Sequence, residues 1–111
     1  MFRKKENESP GVKELLRPAT IIVTSNSIPS HNKATYWFEV SLNNKIVGNI
    51  EKNGIPSIFT TTTDKNVLEL ILVVKENNGN ITKFKTRKQE LELKDGETIN
   101  ALFENRRFII S

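Results

Sequence analysis

The sequence predicts an all-β domain, an antiparallel two-sheet sandwich of immunoglobulin-like appearance, with a small, partly open β-barrel as the alternative arrangement. Three observations carry that expectation. From Ala19 to the end, short apolar segments are separated by Asn, Asp and Gly turns, with no heptad and no internal repeat. The stretch Thr35 to Ile50 reads as two strands joined by a tight turn: Tyr36, Phe38, Val40 and Leu42 point one way, Trp37, Glu39 and Ser41 the other, and Ile46, Gly48 and Ile50 resume the apolar face. The third is Val67 to Val74, apolar on both faces apart from Glu69, which is the pattern of a central strand covered on both sides.

Taken in order, residues 1 to 17 mix Arg3, Lys4, Lys5, Lys13 and Arg17 with Glu6, Glu8 and Glu14 around Pro10 and Gly11, and are expected to form a flexible tail. Within it, Val12 to Leu16 has room for one helical turn, ended before Pro18 because the residue preceding a proline is pushed out of the α region. The β domain then occupies residues 18 to 111. Its predicted strands are Ala19 to Ser25, Thr35 to Asn43, Lys45 to Glu51, Ser57 to Thr61, Val67 to Lys75, Ile81 to Thr86, Glu90 to Leu93, Glu97 to Phe103 and Arg106 to Ile110. Asn43-Asn44, Asn53-Gly54, Asp64 to Asn66, Asn77 to Asn80, Asp95-Gly96 and Glu104-Asn105 supply turn chemistry, since Asn, Asp and Gly tolerate positive φ. The longer link from Asn26 to Lys33, holding Pro29, is expected to cross between sheets or act as a hinge.

Composition narrows function by exclusion. A chain of 111 residues supports one domain with its own core. It has no cysteine, which removes disulfides, thiolate metal sites and cysteine nucleophiles, and its single histidine, His31, cannot build a multi-histidine metal site. No cofactor is predicted. The longest apolar run, Leu70 to Val74, is far short of the roughly 18 residues of a membrane-spanning helix. The basic opening has no hydrophobic region after it, so it does not read as a signal peptide, and a soluble, cytoplasmic protein is expected.

Catalysis finds little support. His31 lies in a Ser30-His31-Asn32 loop segment with no base-to-nucleophile arrangement legible around it. Glu90 and Glu92 share a strand face opposite Leu91 and Leu93, as on the solvent side of an edge strand, and Asp64, Asp95 and Glu97 sit at turns. No catalytic residue is assigned. The run Thr60 to Thr63 suits strand structure through its branched side chains.

Two features invite binding. Trp37 falls on the otherwise polar face with Glu39 and Ser41, where an aromatic ring can stack on a sugar, a base or a partner side chain, or lie under a second layer. Lys83, Lys85, Arg87 and Lys88 form a cluster without an acid, matching the net charge of +4, and Arg106 and Arg107 extend it if the last strand lies near. Such a row serves either a phosphate backbone or the protection of an edge from aggregation. Phe84 is expected to face the core. An apolar outer row, Ile71 and Val73, offers a candidate interface for self-association.

The segment from Val40 to Ile50, followed by Asn53-Gly54, a short strand, the Asp64 to Asn66 turn and the apolar strand Leu68 to Val74, resembles the small bacterial β-sandwich modules of the PEGA type over about residues 36 to 75. The signature naming that family is absent, Thr62-Thr63-Asp64-Lys65 standing near its place. The resemblance implies a non-catalytic interaction or display module. Together these observations predict a protein-interaction or assembly module that binds a protein partner or a second copy of itself. Nucleic-acid or polyanion binding through the basic strand is the alternative, and carbohydrate binding through Trp37 a second one.

Overall fold

The computed structural model describes residues 11–111, all of them in strands, turns and loops. The strands are β1 (Glu14–Ser25), β2 (Ala34–Leu42), β3 (Lys45–Ile50), β4 (Ser57–Thr63), β5 (Lys65–Glu76), β6 (Ile81–Glu92), β7 (Thr98–Glu104) and β8 (Arg107–Ile110). They form two four-stranded sheets, β4-β1-β7-β8 and β3-β2-β5-β6, packed face to face as a sandwich and not closed into a barrel. Every pairing is antiparallel except β1 with β7, which runs parallel from Thr20↔Thr98 to Ser25↔Phe103.

Turn chemistry sets the hairpins. Asn43 and Asn44 both hold positive φ, 54° and 67°, the geometry of a two-residue turn whose twist matches the flanking strands. Asn43 also accepts the Val67 amide on Oδ1 (2.8 Å) and donates Nδ2 to Asn66 Oδ1 (2.9 Å), tying the β2–β3 turn to β5. The β7–β8 hairpin repeats the geometry with Asn105 (54°) and Arg106 (63°). Arg106 thus belongs to the turn, one residue ahead of the strand predicted to include it. The link from Asn26 to Lys33 does cross from one sheet to the other. Asn53 pins it, accepting the Ile28 amide at 2.9 Å and donating to the Ile28 carbonyl at 3.1 Å.

The core lies between the sheets. Ile21 and Val23 of β1 and Ile99 and Phe103 of β7 face Phe38 and Val40 of β2 and Leu68 and Leu70 of β5, with Leu91 and Leu93 closing one end. Full burial of such side chains contributes roughly 1.5–3 kcal/mol each. Phe103 meets Phe38 edge-on (5.4 Å between centroids, 79°) and Phe108 at a tilt (5.1 Å, 58°), arrangements that aromatic quadrupoles favour. At the Leu91 end, where Asn66 pairs with Leu91, a polar knot adjoins the hydrocarbon. Buried Asn66 accepts from Thr61 Oγ1 (2.7 Å) and donates to the Thr63 carbonyl (2.9 Å).

Three expectations change. Eight strands replace nine because Ile81 to Thr86 and Glu90 to Leu93 are parts of one strand: β6 carries a bulge opposite Leu70, between the pairs Glu69↔Lys88 and Ile71↔Lys85, which interrupts the alternation without ending the strand. The helical turn at Val12 to Leu16 gives way to extended chain, since Asp64 and Asp95 side chains capture the Lys13 and Leu16 amides, each at 2.8 Å, and the Arg17 carbonyl accepts from Gly96. The chain is therefore tied to the sandwich from Lys13, whereas the part of the expected tail up to Pro10 lies outside the described residues. Finally, β5 is central as predicted, but its outer face is covered by side chains of its own sheet rather than by another layer. Val73 stands in a cross-strand row between Trp37 and Lys83 and is 1% exposed.

Candidate functional site: the open side of the sandwich

The two long sides of the sandwich differ. On one, β3 meets β4 closely: a Cβ added to Gly48 would lie 2.8 Å from the Phe59 ring, so the absence of a side chain there lets the ring close that side. On the other, twelve-residue β6 runs on past the Asn105-Arg106 turn, where the opposing β7–β8 hairpin ends. The mismatch leaves a cleft of about 570 Å³ that reaches the core. Phe38, Leu72 and Phe103 line its floor, Phe84 and Thr86 the β6 wall, and Asn105 and Arg106 the wall formed by the β7–β8 turn.

Phe84 is the residue whose placement most alters the sequence reading. It pairs with Leu72 and so lies on the core-facing side, as expected, yet it is 51% exposed because nothing on β8 reaches it. One signal was available: Thr82 and Thr86, its neighbours on that face, are polar, and a strand face that loses its apolar residues has left the core. The participation of Phe38, Leu72 and Phe103 had no such signal, since their pattern is that of ordinary core residues.

The six candidate cations divide between two surfaces. Lys83, Lys85 and Lys88 lie on the outer face of the β3-β2-β5-β6 sheet, opposite Val73, Ile71 and Glu69 respectively. Lys83 Nζ contacts both carboxylate oxygens of Glu39 at 3.2 Å. Lys85 borders the cleft. Arg87, at the bulge, donates Nε to the Arg106 carbonyl at 3.2 Å and links β6 to the β7–β8 turn. Arg106 is on that turn and Arg107 opens β8. Thr86 Oγ1 donates to the Leu70 carbonyl at 2.7 Å, occupying an acceptor at the bulge.

Trp37 is half-buried on the outer face and borders a shallower hollow of about 350 Å³ with Tyr36, Asn49, Glu51 and Lys52. Ile71 is half-buried beside Val73, and little apolar area of that row reaches solvent. More apolar surface lies on the outer face of the other sheet, where Ile58 and Ile109 are exposed next to Ile22 and Leu102. His31 is in the loop before β2, its Nδ1 accepting the Lys33 amide at 3.2 Å. Among the described residues no three His, Cys, Asp or Glu side chains are grouped to hold a metal ion, and no helix is long and apolar enough to cross a membrane.

Chemically, the cleft joins an apolar floor to a rim that holds the Lys85 ammonium and the Arg106 guanidinium, and among the described residues no carboxylate lines it. It has the size of a ligand site and is flanked by β6, an edge strand among the described residues. Comparison with known protein families, curated proteins and solved structures gives no match to this chain.

Proposed function

We propose that the chain is a non-catalytic protein-interaction module that takes an extended segment of its partner along the open side of the sandwich. The observation that carries this reading is Phe84, a large aromatic half exposed on the core-facing side of an edge strand, above Leu72 and Phe103. An edge strand presents a row of unpaired backbone donors and acceptors, so a partner segment gains affinity from the main chain and specificity from pockets that accept alternate side chains. The cleft beside β6 is such a pocket.

The scatter of the cations favours this reading over nucleic-acid binding. A strand of phosphates is best met by a continuous groove with stacking aromatics. Here Lys83 is engaged by Glu39, Lys88 stands opposite Glu69 and Arg87 is held by the Arg106 carbonyl, while Arg106 lines the cleft. A second reading, carbohydrate binding, is favoured by the hollow beside Trp37, where an aromatic face meets Asn49, Glu51 and Lys52. A change in Trp37 fluorescence on adding glycans would mark it.

The test is a selection of displayed random peptides on the wild-type chain, with winners re-assayed on Phe84→Ser and Trp37→Ala variants of unchanged far-ultraviolet dichroism. Peptides that lose Phe84→Ser and keep Trp37→Ala are expected. Winners that bind the Phe84→Ser variant as well as the wild type overturn the reading.

A further inference from the structure

The geometry points to a particular class of partner: an acidic strand with alternating apolar residues that pairs with the free edge of β6 and seats one apolar side chain in the cleft. This inference rests on the interaction-module reading above and adds the chemistry of what is bound.

The first argument comes from charge. Lys85 and Arg106 border the cleft, Arg87 is tied to the Arg106 carbonyl beside it, and among the described residues no carboxylate lines it. A strand laid along β6 would place its own alternate side chains beside this rim, and opposite charges in cross-strand positions stabilise a pair while like charges destabilise it. The same rule disfavours a second copy as the occupant of this edge. Two β6 strands paired antiparallel over the Ile81–Lys85 half would set Lys83 of one copy against Lys83 of the other, and the offset pairing that sets Lys83 and Lys85 against Glu92 and Glu90 has to cross the bulge in both strands. Lysine and arginine on an edge are a usual guard against self-pairing, and an acidic strand is what passes that guard.

The second argument comes from the alternation. Phe84 and Leu72 are opposite one another on the inward side, whereas Lys85 and Ile71 are opposite on the outward side. An added strand continues that pleat, so its inward residues meet Phe84 and the cleft and its outward residues meet the lysines. The complementary sequence therefore alternates apolar with acidic residues. The bulge opposite Leu70 ends this register, confining recognition to the Ile81–Lys85 half of β6 and the cleft beside it.

The experiment measures fluorescence polarisation of three labelled probes on the intact chain: a short peptide alternating glutamate with valine and phenylalanine, its lysine counterpart, and a mixed-sequence single-stranded oligonucleotide. The acidic peptide is expected to bind at least about tenfold more tightly than the lysine peptide. A Lys85→Glu/Arg106→Asp variant is expected to reverse that order, aspartate being chosen because it tolerates the left-handed geometry of position 106. Equal binding of both peptides, with loss of both on Phe84→Ser, would overturn the acidic preference while leaving the interaction-module reading standing. Failure of both peptides, with binders from the random selection that do lose Phe84→Ser, would overturn only the alternating acidic strand. Failure of both peptides together with a selection insensitive to Phe84→Ser would overturn both readings. Oligonucleotide binding as tight as the acidic peptide's, lost steeply with added salt, would identify a general polyanion site and overturn the inference as well.

Discussion

Replacing Phe84 and Phe103 by alanine, one at a time, separates an open cleft from a closed core. Phe103 is 2% exposed and packs against two other rings. Its removal should cost about 3–5 kcal/mol, the usual range for a buried Phe→Ala change. Phe84, 51% exposed, has about half of its side chain still in water. With roughly 1.5–3 kcal/mol for full burial, its removal should cost about 1 kcal/mol. The gap of some 2–4 kcal/mol would separate the two urea midpoints by about 1–2 M for a chain of this size, given slopes of roughly 1–3 kcal/mol per molar. Unfolding followed by far-ultraviolet dichroism, with the slope checked to be unchanged, makes the comparison. If Phe103→Ala leaves too little folded protein, Phe103→Leu and Phe84→Leu should keep the same order. Equal costs at the two positions would refute the reasoning, because they would mean that β8 or a neighbouring loop covers Phe84 and no cleft exists.

Other substitutions test the fold that holds this side open. At Asn44, with φ of 67°, Asn44→Ala should cost about 1 kcal/mol through left-handed strain, whereas Asn44→Gly should be near neutral. Asn43→Gly should cost more than Asn44→Gly, since the Val67 amide loses its Oδ1 partner and Asn66 its donor; chemical denaturation of the variants decides. Gly48→Val should destabilise by about 1–3 kcal/mol through collision with Phe59, and the Phe59→Ala background should relieve part of that cost in a double-mutant cycle. Asn66→Ala should cost about 1–3 kcal/mol by stranding Thr61 and Asn43. In contrast, Glu39→Gln should shift stability by less than about 1 kcal/mol, because the Lys83 side chain is 54% exposed and its ion pair is screened.

The architecture was legible where local chemistry settles it. Alternation through Tyr36 to Leu42 fixes which residues enter the core, and paired Asn residues fix the β2–β3 hairpin, so the two-sheet sandwich follows from the sequence. The extended course of Lys13 to Arg17 was not legible, because its partners Asp64 and Asp95 lie far along the chain and resemble ordinary turn residues. The bulge in β6 was hidden for a related reason. Its run of charged and polar residues has no apolar phase to break, so one bent strand reads as two short ones.

The candidate site was legible only in its charges. Lys85, Arg87 and Arg106 could be named as a basic group, but a cleft depends on where the β7–β8 turn ends opposite β6 and on which sheet each strand joins, and both are properties of tertiary pairing. Phe84 therefore reads as a core residue until the opposing β7–β8 hairpin is seen to turn at Asn105-Arg106 without reaching over it. The Ile71 and Val73 row shows the converse: an apolar pair that looks available in sequence is overlaid by its cross-strand neighbours, and Val73 retains almost no accessible surface.

The most direct test of the central claim is an amide NMR titration of the isotope-labelled chain with the alternating acidic peptide. The account predicts that the shifts concentrate on Ile81 to Thr86, Leu72, Phe103 and Asn105-Arg106, with the β6 edge amides newly protected from exchange. Shifts centred instead on Trp37, Asn49 and Lys52, or on the Ile22, Ile58 and Ile109 face, would contradict it and move recognition to another surface.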